Sequence, residues 1–392
     1  MCIRDRVLSE ASSFILSWED LSVGLSPENI MPLEDRLQIS FSEDIPGRKP
    51  CWLFITGVKD RDGNQMADTT LSIMRNEAQW GDVVFNEIMA DPDPAIKYEE
   101  EYLELYMRSE YPVTLEGWRL DVNERSYLLD ASSLLEINGD FICVSGITLP
   151  NDGAVLSLYC DKGKLIHACS YKIPWDGPDW KKEGGWSLES PDADQVCRIS
   201  ANWEYSSDPG GGTPGRVNSN RTILVDEEAP LLLHAGLGDP GELLLHYSEP
   251  LHIYNDPENV FRLDPGAVLA DSIRLADPLR EIMRVYFPED FHNWPRFRLD
   301  VPGLSDCAGN SSTRQVIEAG EPSFPEPASA LINEIIYDPE EVKPEYVELK
   351  LTGNGILDLQ DLAIHLVEEG EPPDDPIPLS SQSRLGLPGQ YL

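Results

Sequence analysis

Two unrelated segments of this 392-residue chain recur in the same order and at one spacing. Phe41-Ser42-Glu43-Asp44 returns as Phe287-Pro288-Glu289-Asp290. Gly57-Val58-Lys59-Asp60 and Gly63-Asn64 return as Gly303-Leu304-Ser305-Asp306 and Gly309-Asn310, all at an offset of 246. Phe85-Asn86-Glu87-Ile88-Met89-Ala90-Asp91-Pro92 then matches Ile332-Asn333-Glu334-Ile335-Ile336-Tyr337-Asp338-Pro339 at 247. Glu101-Tyr102-Leu103-Glu104-Leu105 matches Glu345-Tyr346-Val347-Glu348-Leu349 at 244. Leu115-Glu116-Gly117-Trp118 lines up with Leu359-Gln360-Asp361-Leu362. Repetition on this scale predicts an array whose units each close a small core, and the length alone exceeds one ordinary core. The chain reads as two A–B pairs: a partial unit A1 at 7–77, unit B1 at 82–218, unit A2 at 223–317 and a partial unit B2 at 331–392, with a Pro-rich linker at 318–330.

Within each unit, apolar and polar residues alternate with period two over short runs, at 243–247, 272–275, 282–287 and 297–301 in A2. Pro, Gly and Asp cluster between the runs, the pattern of strands joined by turns. In B1, Leu103 and Leu105 are expected on one face of a strand, with Tyr102, Glu104 and Tyr106 on the other. Trp118 is the expected core anchor. The Gly-, Ser- and Pro-rich stretch 206–220 is expected to be a mobile joint, and 318–327, with three prolines, a semi-rigid extended one.

Seventy acidic against thirty basic residues give a net charge of −40. Such a surface repels phosphate backbones and anionic lipid, so nucleic acid and membrane surfaces are excluded as partners. A saline or extracellular setting accounts for it. No apolar run approaches the ~18 residues of a membrane helix. Residues 1–6, Met1-Cys2-Ile3-Arg4-Asp5-Arg6, resemble the adapter-derived leader of translated metagenomic fragments, and both ends read as cut. A missing signal peptide follows from that reading. The six other cysteines form no CxxC and have no interleaved histidine, which argues against zinc. Cys143, Cys160, Cys169 and Cys197 allow three disulfide connectivities, with buried free thiols as the alternative.

Unit A resembles bacterial Ig-like domains of the SbsA type, on Tyr247-Ser248-Glu249-Pro250 and the late turn from Gly303 to Asn310. Unit B resembles the lamin tail domain of bacterial secreted proteins. The residues are Asn86-Glu87-Ile88-Met89 with Asp91-Pro92, Glu101-Tyr102-Leu103-Glu104-Leu105, Leu115-Glu116-Gly117-Trp118, Gly185-Trp186-Ser187-Leu188-Glu189, Asn202-Trp203 and Gly211-Gly212-Thr213-Pro214-Gly215. The second copy departs from it at Asp361 and Leu362. The resemblance implies an all-β protein of tandem Ig-like sandwiches, strung as beads, in an extracellular bacterial setting.

Candidate chemistry is sparse. Gly210-Gly211-Gly212-Thr213-Pro214-Gly215 lacks the Gly-Lys-Ser/Thr ending of a phosphate loop and reads as linker. Asp60, Asp62, Asn64 and Asp68 occupy four positions of a calcium loop, but its central glycine and final glutamate are displaced, so a structural turn is preferred and calcium is a side hypothesis. Glu87, Glu101, Glu104 and Asp91 offer paired carboxylates of the glycosidase kind. The same set returns as Glu334, Glu345, Glu348 and Asp338, which favours a structural role. Trp175, Trp180, Trp186 and Trp203 are a candidate binding platform or, preferably, loop packing. The histidines form no HExxH, and there is no GxSxG. The reading is therefore a non-enzymatic structural or adhesive module of a large secreted or surface bacterial protein. It needs no cofactor, is monomeric in isolation, and meets an extracellular protein or polysaccharide. The alternative is a set of accessory domains of a secreted hydrolase or nuclease whose catalytic domain lies outside this chain.

Overall fold

The computed structural model describes all residues except 1–5, 8–13, 19–23, 33–36, 44–46, 61, 63, 75–76, 130–133, 136–138, 174–176, 197–202, 253–259, 292, 338–344 and 368–374. Cys2, Gly63, Trp175, Cys197, Asn202, Asp338 and the side chain of Asp60 thus lie outside the described parts. The chain is built of short antiparallel strands in many small sheets. Among the described residues only Asp179–Lys182 is α-helical.

Unit B1 is a two-sheet sandwich. One sheet runs in the order Phe141–Ser145, Tyr102–Met107, Val83–Met89, Leu188–Glu189, Glu204–Tyr205, and the other Arg125–Leu128, Arg119–Val122, Ala154–Tyr159, Leu165–Tyr171. Leu103 and Leu105 point into the core with Phe85, Trp118, Leu156, Leu158 and Tyr171, as period-two alternation requires. All seven residues of Val83–Met89 are buried, and all six of Tyr102–Met107. A sandwich strand normally wets one face, so something other than the opposite sheet covers their outer side.

Unit A2 carries two four-stranded sheets, Leu232–Leu237, Glu242–Tyr247, Ile282–Tyr286, Ser272–Leu275 and Val268–Leu269, Arg262–Asp264, Phe297–Val301, Gln315–Ala319. The sequence repeat is a repeat of pairing register. Leu53 pairs Leu71 in A1, and Leu299 pairs Ile317 in A2. Arg6 pairs Asp60, and Leu251 pairs Asp306. Arg6 and Val7 thus lie in a strand paired with Lys59–Asp60. That strand, Arg6–Val7, is two residues long.

Unit B2 reproduces three pairings of B1. Ala330–Ile336 with Tyr346–Leu351 repeats Val83–Met89 with Tyr102–Met107. Leu357–Asp358 with Leu385–Gly386 repeats Val113–Thr114 with Leu134–Leu135. Ala363–Ile364 with Ile377–Pro378 repeats Arg119–Val122 with Arg125–Leu128. Without a counterpart of Trp118, its small core is closed by Leu351, Leu357 and Leu359.

The units touch at their joints. Leu279 of A2 packs on the B1 core, and the Arg280 guanidinium stands 4.7 Å from the Trp80 ring centroid. Ile356 and Leu385 of B2 enter the A2 core, and Ser323 N–H bonds Ile356 O at 2.7 Å. The Pro-rich joint is thus docked on both sides, with Glu321 N–H bonding Trp294 O at 2.9 Å and Thr352 N–H bonding Ser329 O at 2.9 Å. Even so, the chain exposes 22398 Å², well above the about 15,400 Å² of a compact single-core protein of its mass. An array of small cores explains the excess.

The expectation of a mobile joint at 206–220 is overturned. Ser206 and Thr213 are fully buried and Asn218 nearly so. This stretch is the missing cover over the outer face of the B1 sheet.

Candidate functional site

Three adjacent strands of one sheet set three carboxylates side by side. Glu104 pairs Glu87, and Glu189 pairs Glu87 from the other side. Like charges directly opposite on neighbouring strands repel, and each of these residues is 0% exposed. Among the described residues no lysine or arginine bonds them. The compensation comes from neutral donors, most of them in 187–220.

Glu87 Oε1 accepts from Tyr102 OH at 2.7 Å, Ser187 Oγ at 2.6 Å and Thr213 N–H at 2.7 Å. Glu104 accepts from Asn86 Nδ2 at 2.7 Å and from the Gly215 N–H, with Cys143 Sγ at 3.5 Å. Glu189 accepts from Ser219 Oγ at 2.8 Å, Asn220 N–H at 3.0 Å and Thr213 Oγ1 at 3.0 Å. Asn218 Nδ2 ties the cover down, donating to Ser190 O at 2.8 Å and Asn86 O at 3.0 Å. Carboxylates held by several donors survive burial without a counter-ion, at the price of a raised pKa. Burial lifts Glu87 above the ordinary range, opposed by Ser187, Tyr102 and Thr213. Burial likewise pushes Glu104 up to about 7, against the pull of Gly215 and Asn86.

The Gly-rich run makes this closeness possible. A Cβ on Gly212 would lie 2.5 Å from Tyr102 Oη and 2.6 Å from Glu87 Oε1. Gly211, at φ +82°, would drive a Cβ to 2.1 Å from Gly185 O. The run is neither linker nor phosphate loop but a plug laid on carboxylates.

The other two acids of the expected quartet are elsewhere. Glu101 accepts from the Leu149 N–H, and Asp91 lies beside Gly184. Unit B2 retains the strand-encoded half of the arrangement. Tyr346 OH donates to Glu334 at 3.1 Å, Asn333 Nδ2 donates to Glu348, and Glu334 pairs Glu348. There Asn333, Glu334 and Tyr346 are exposed and Glu348 is half-buried. The same four side chains thus recur as part of the scaffold.

Sequence reasoning found Glu87 and Glu104 but not Glu189, Thr213, Asn218 and Ser219 as their partners. Polar residues in a Gly-rich run were the available signal. His167 is fully enclosed by B1, its Nδ1 accepting from Phe85 N–H at 3.3 Å, and burial lowers its pKa to about 3. It is a neutral core residue. The aromatic platform divides as well: Trp203 Nε1 donates to Ser170 O at 3.0 Å on the sandwich, while Trp180 meets Trp186 edge-on with Lys181 beside both.

For the calcium candidates, Asp62, Asn64 and Asp68 are exposed, and Met66 N–H closes a turn on Val58 O at 2.8 Å. Among the described residues a different trio, Asp226, Glu249 and Asp306, brings carboxylate oxygens within 4.8 Å of one another. Both Asp306 oxygens already accept from the turn, Oδ1 from Gly309 and Asn310 N–H and Oδ2 from Asn310 Nδ2. The cysteine expectation is corrected in part. Cys143, Cys160 and Cys169 are free thiols, as is Cys51, and Cys307, which was not placed among the pairing candidates, is disulfide-bonded. Cys143 is exposed, and burial of its sulfur beside Glu104 raises its pKa to about 12.

No family model and no curated protein matches the chain. Among solved structures it is similar to surface layer protein SbsC, domains 1–6, and to the S-layer protein rSbsC. Each is 10% identical with a TM-score of 0.17, covering 92% of this chain. The chain spans 58% of the length of those chains, and a superposition of that quality carries no functional argument.

Proposed function

We propose that this chain is a non-catalytic structural and adhesive module of a large secreted or cell-surface bacterial protein. The observation that carries the proposal is the sealed carboxylate cluster of B1. A hydrolase needs its acid pair open to substrate and water, whereas Glu87, Glu104 and Glu189 are saturated with donors and covered by 206–220. Their recurrence in B2 supports the same reading, since a scaffold feature is copied with its scaffold. Unit boundaries of 7–77, 82–218, 223–317 and 331–392 are part of the proposal. Its partner is an extracellular protein or polysaccharide, met through loops and exposed strand edges.

A spacer must be long. Small-angle scattering of the full chain tests this: a radius of gyration above about 30 Å is expected, against about 21 Å for one compact globule of this length. The compact value would refute the spacer role.

A further inference from the structure

We propose that the carboxylate face of unit B2 docks a Gly-Gly-Thr-Pro-Gly segment of a partner polypeptide, held as B1 holds its own 206–220. This names a class of partner for the adhesive reading above and rests on that reading.

The two units build the same receptor. A β-bulge falls at Asn86 in B1, where Glu104 pairs Glu87 and Leu105 pairs Phe85. It returns at Asn333 in B2, where Glu348 pairs Glu334 and Leu349 pairs Ile332. A bulge re-aims the side chain of its extra residue. In both units that side chain donates to the carboxylate on the neighbouring strand, Asn86 to Glu104 and Asn333 to Glu348. Tyr102 OH donates to Glu87 at 2.7 Å, and Tyr346 OH to Glu334 at 3.1 Å. The four side chains are therefore preset in B2, and an incoming segment does not have to order them.

What differs is the cover. In B1, Glu87 also accepts from Thr213 N–H at 2.7 Å, and Glu104 from Gly215 N–H. Among the described residues, Glu334 accepts from Tyr346 alone and Glu348 from Asn333 alone. The edge is open as well. Val83–Met89 lies between Tyr102–Met107 and Leu188–Glu189, whereas Ala330–Ile336 pairs only Tyr346–Leu351. The third carboxylate of B1, Glu189, comes from that extra strand. Glu334 thus faces one like charge rather than two.

The acceptors define the occupant. On a chain of net charge −40 an acidic partner is repelled, while backbone N–H groups bring donors without bringing charge. The N–H groups of Thr213 and Gly215 reach carboxylates on two adjacent strands, and Pro214 between them has no N–H to leave unmet. A Cβ on Gly212 would lie 2.5 Å from Tyr102 Oη. Tyr346 stands in the same register in B2, so the residue before the threonine must again be glycine. The chain's own 206–220 is engaged in B1, so the segment comes from another polypeptide.

A synthetic peptide of sequence 206–220, with a benzophenone at its N-terminus, is added at millimolar concentration to the full chain. The mixture is irradiated and digested with trypsin. The expected crosslink falls in 315–350, which holds both strands because the Lys343–Pro344 bond resists trypsin. Peptides carrying Gly212→Ala or Thr213→Pro add the Cβ or remove the N–H. They are expected to crosslink about tenfold less, and the same loss is expected for the chain carrying Glu334→Ala with Glu348→Ala. Three results would each overturn the assignment: no crosslink above that of a scrambled peptide, a crosslink undiminished by these substitutions, or one confined to 76–97 and 98–108, where the peptide would have displaced the cover of B1. None of them alters the radius of gyration expected of a spacer, so the two readings fail separately.

Discussion

Thr213 donates its backbone N–H to Glu87 at 2.7 Å across 126 residues of sequence. That single bond joins the last segment of unit B1 to its first strand and closes the lid on three buried carboxylates. The lid, more than the opposite sheet, makes Val83–Met89 a strand buried on both faces.

Removing the hydroxyl while keeping the shape tests how much the lid contributes. Thr213→Val deletes the Oγ1 that serves Glu87 and Glu189. Leaving such acceptors short of a donor costs about 1–3 kcal/mol. Urea denaturation should show that loss, and an unchanged midpoint would count against the network.

Gly212→Ala should be at least as damaging, because its Cβ would meet Tyr102 and Glu87 inside 3 Å. A linker glycine in solvent would accept alanine with little change. Thermal unfolding should therefore place Gly212→Ala several degrees below the parent, while Gly139→Ala, whose Cβ meets nothing within 4 Å, reports the strain of a positive φ alone.

The raised pKa of Glu104 gives stability a definite pH dependence. Its folded value, about 7, lies above the ordinary 4.5, so the native state binds the proton more tightly. That contribution is fully present below about pH 4.5 and is lost as the pH rises through 7, on the order of 3 kcal/mol in all. Denaturation midpoints of the parent should fall relative to Glu104→Gln between pH 5 and 8. A constant difference would show that Glu104 titrates normally.

Much of this was legible beforehand. Leu103 and Leu105 faced the core because alternation leaves no other choice, and Trp118 anchored it. Glu87 and Glu104 stood out because they recur. Their cover did not, since 206–220 has the composition of a linker, and the bond that seals Thr213 onto Glu87 spans 126 residues. The Cys307 bond has no local signal, since no other cysteine lies within a hundred residues of it.

Calcium should do nothing measurable. The Asp306 oxygens already accept three N–H bonds, and Asp62, Asn64 and Asp68 stand in solvent. A ligand held by the folded state raises its melting temperature. No rise is expected at millimolar calcium, and an increase of several degrees would reinstate the cation.

Hydrogen exchange at the Thr213 and Gly215 amides probes the sealed cluster most directly. Both N–H groups point at buried carboxylates, so they should exchange as slowly as the core strand amides of Tyr102–Met107. Exchange at the rate of an open, Gly-rich loop would mean that the carboxylates are reachable from solvent, and the structural reading of unit B1 would fall.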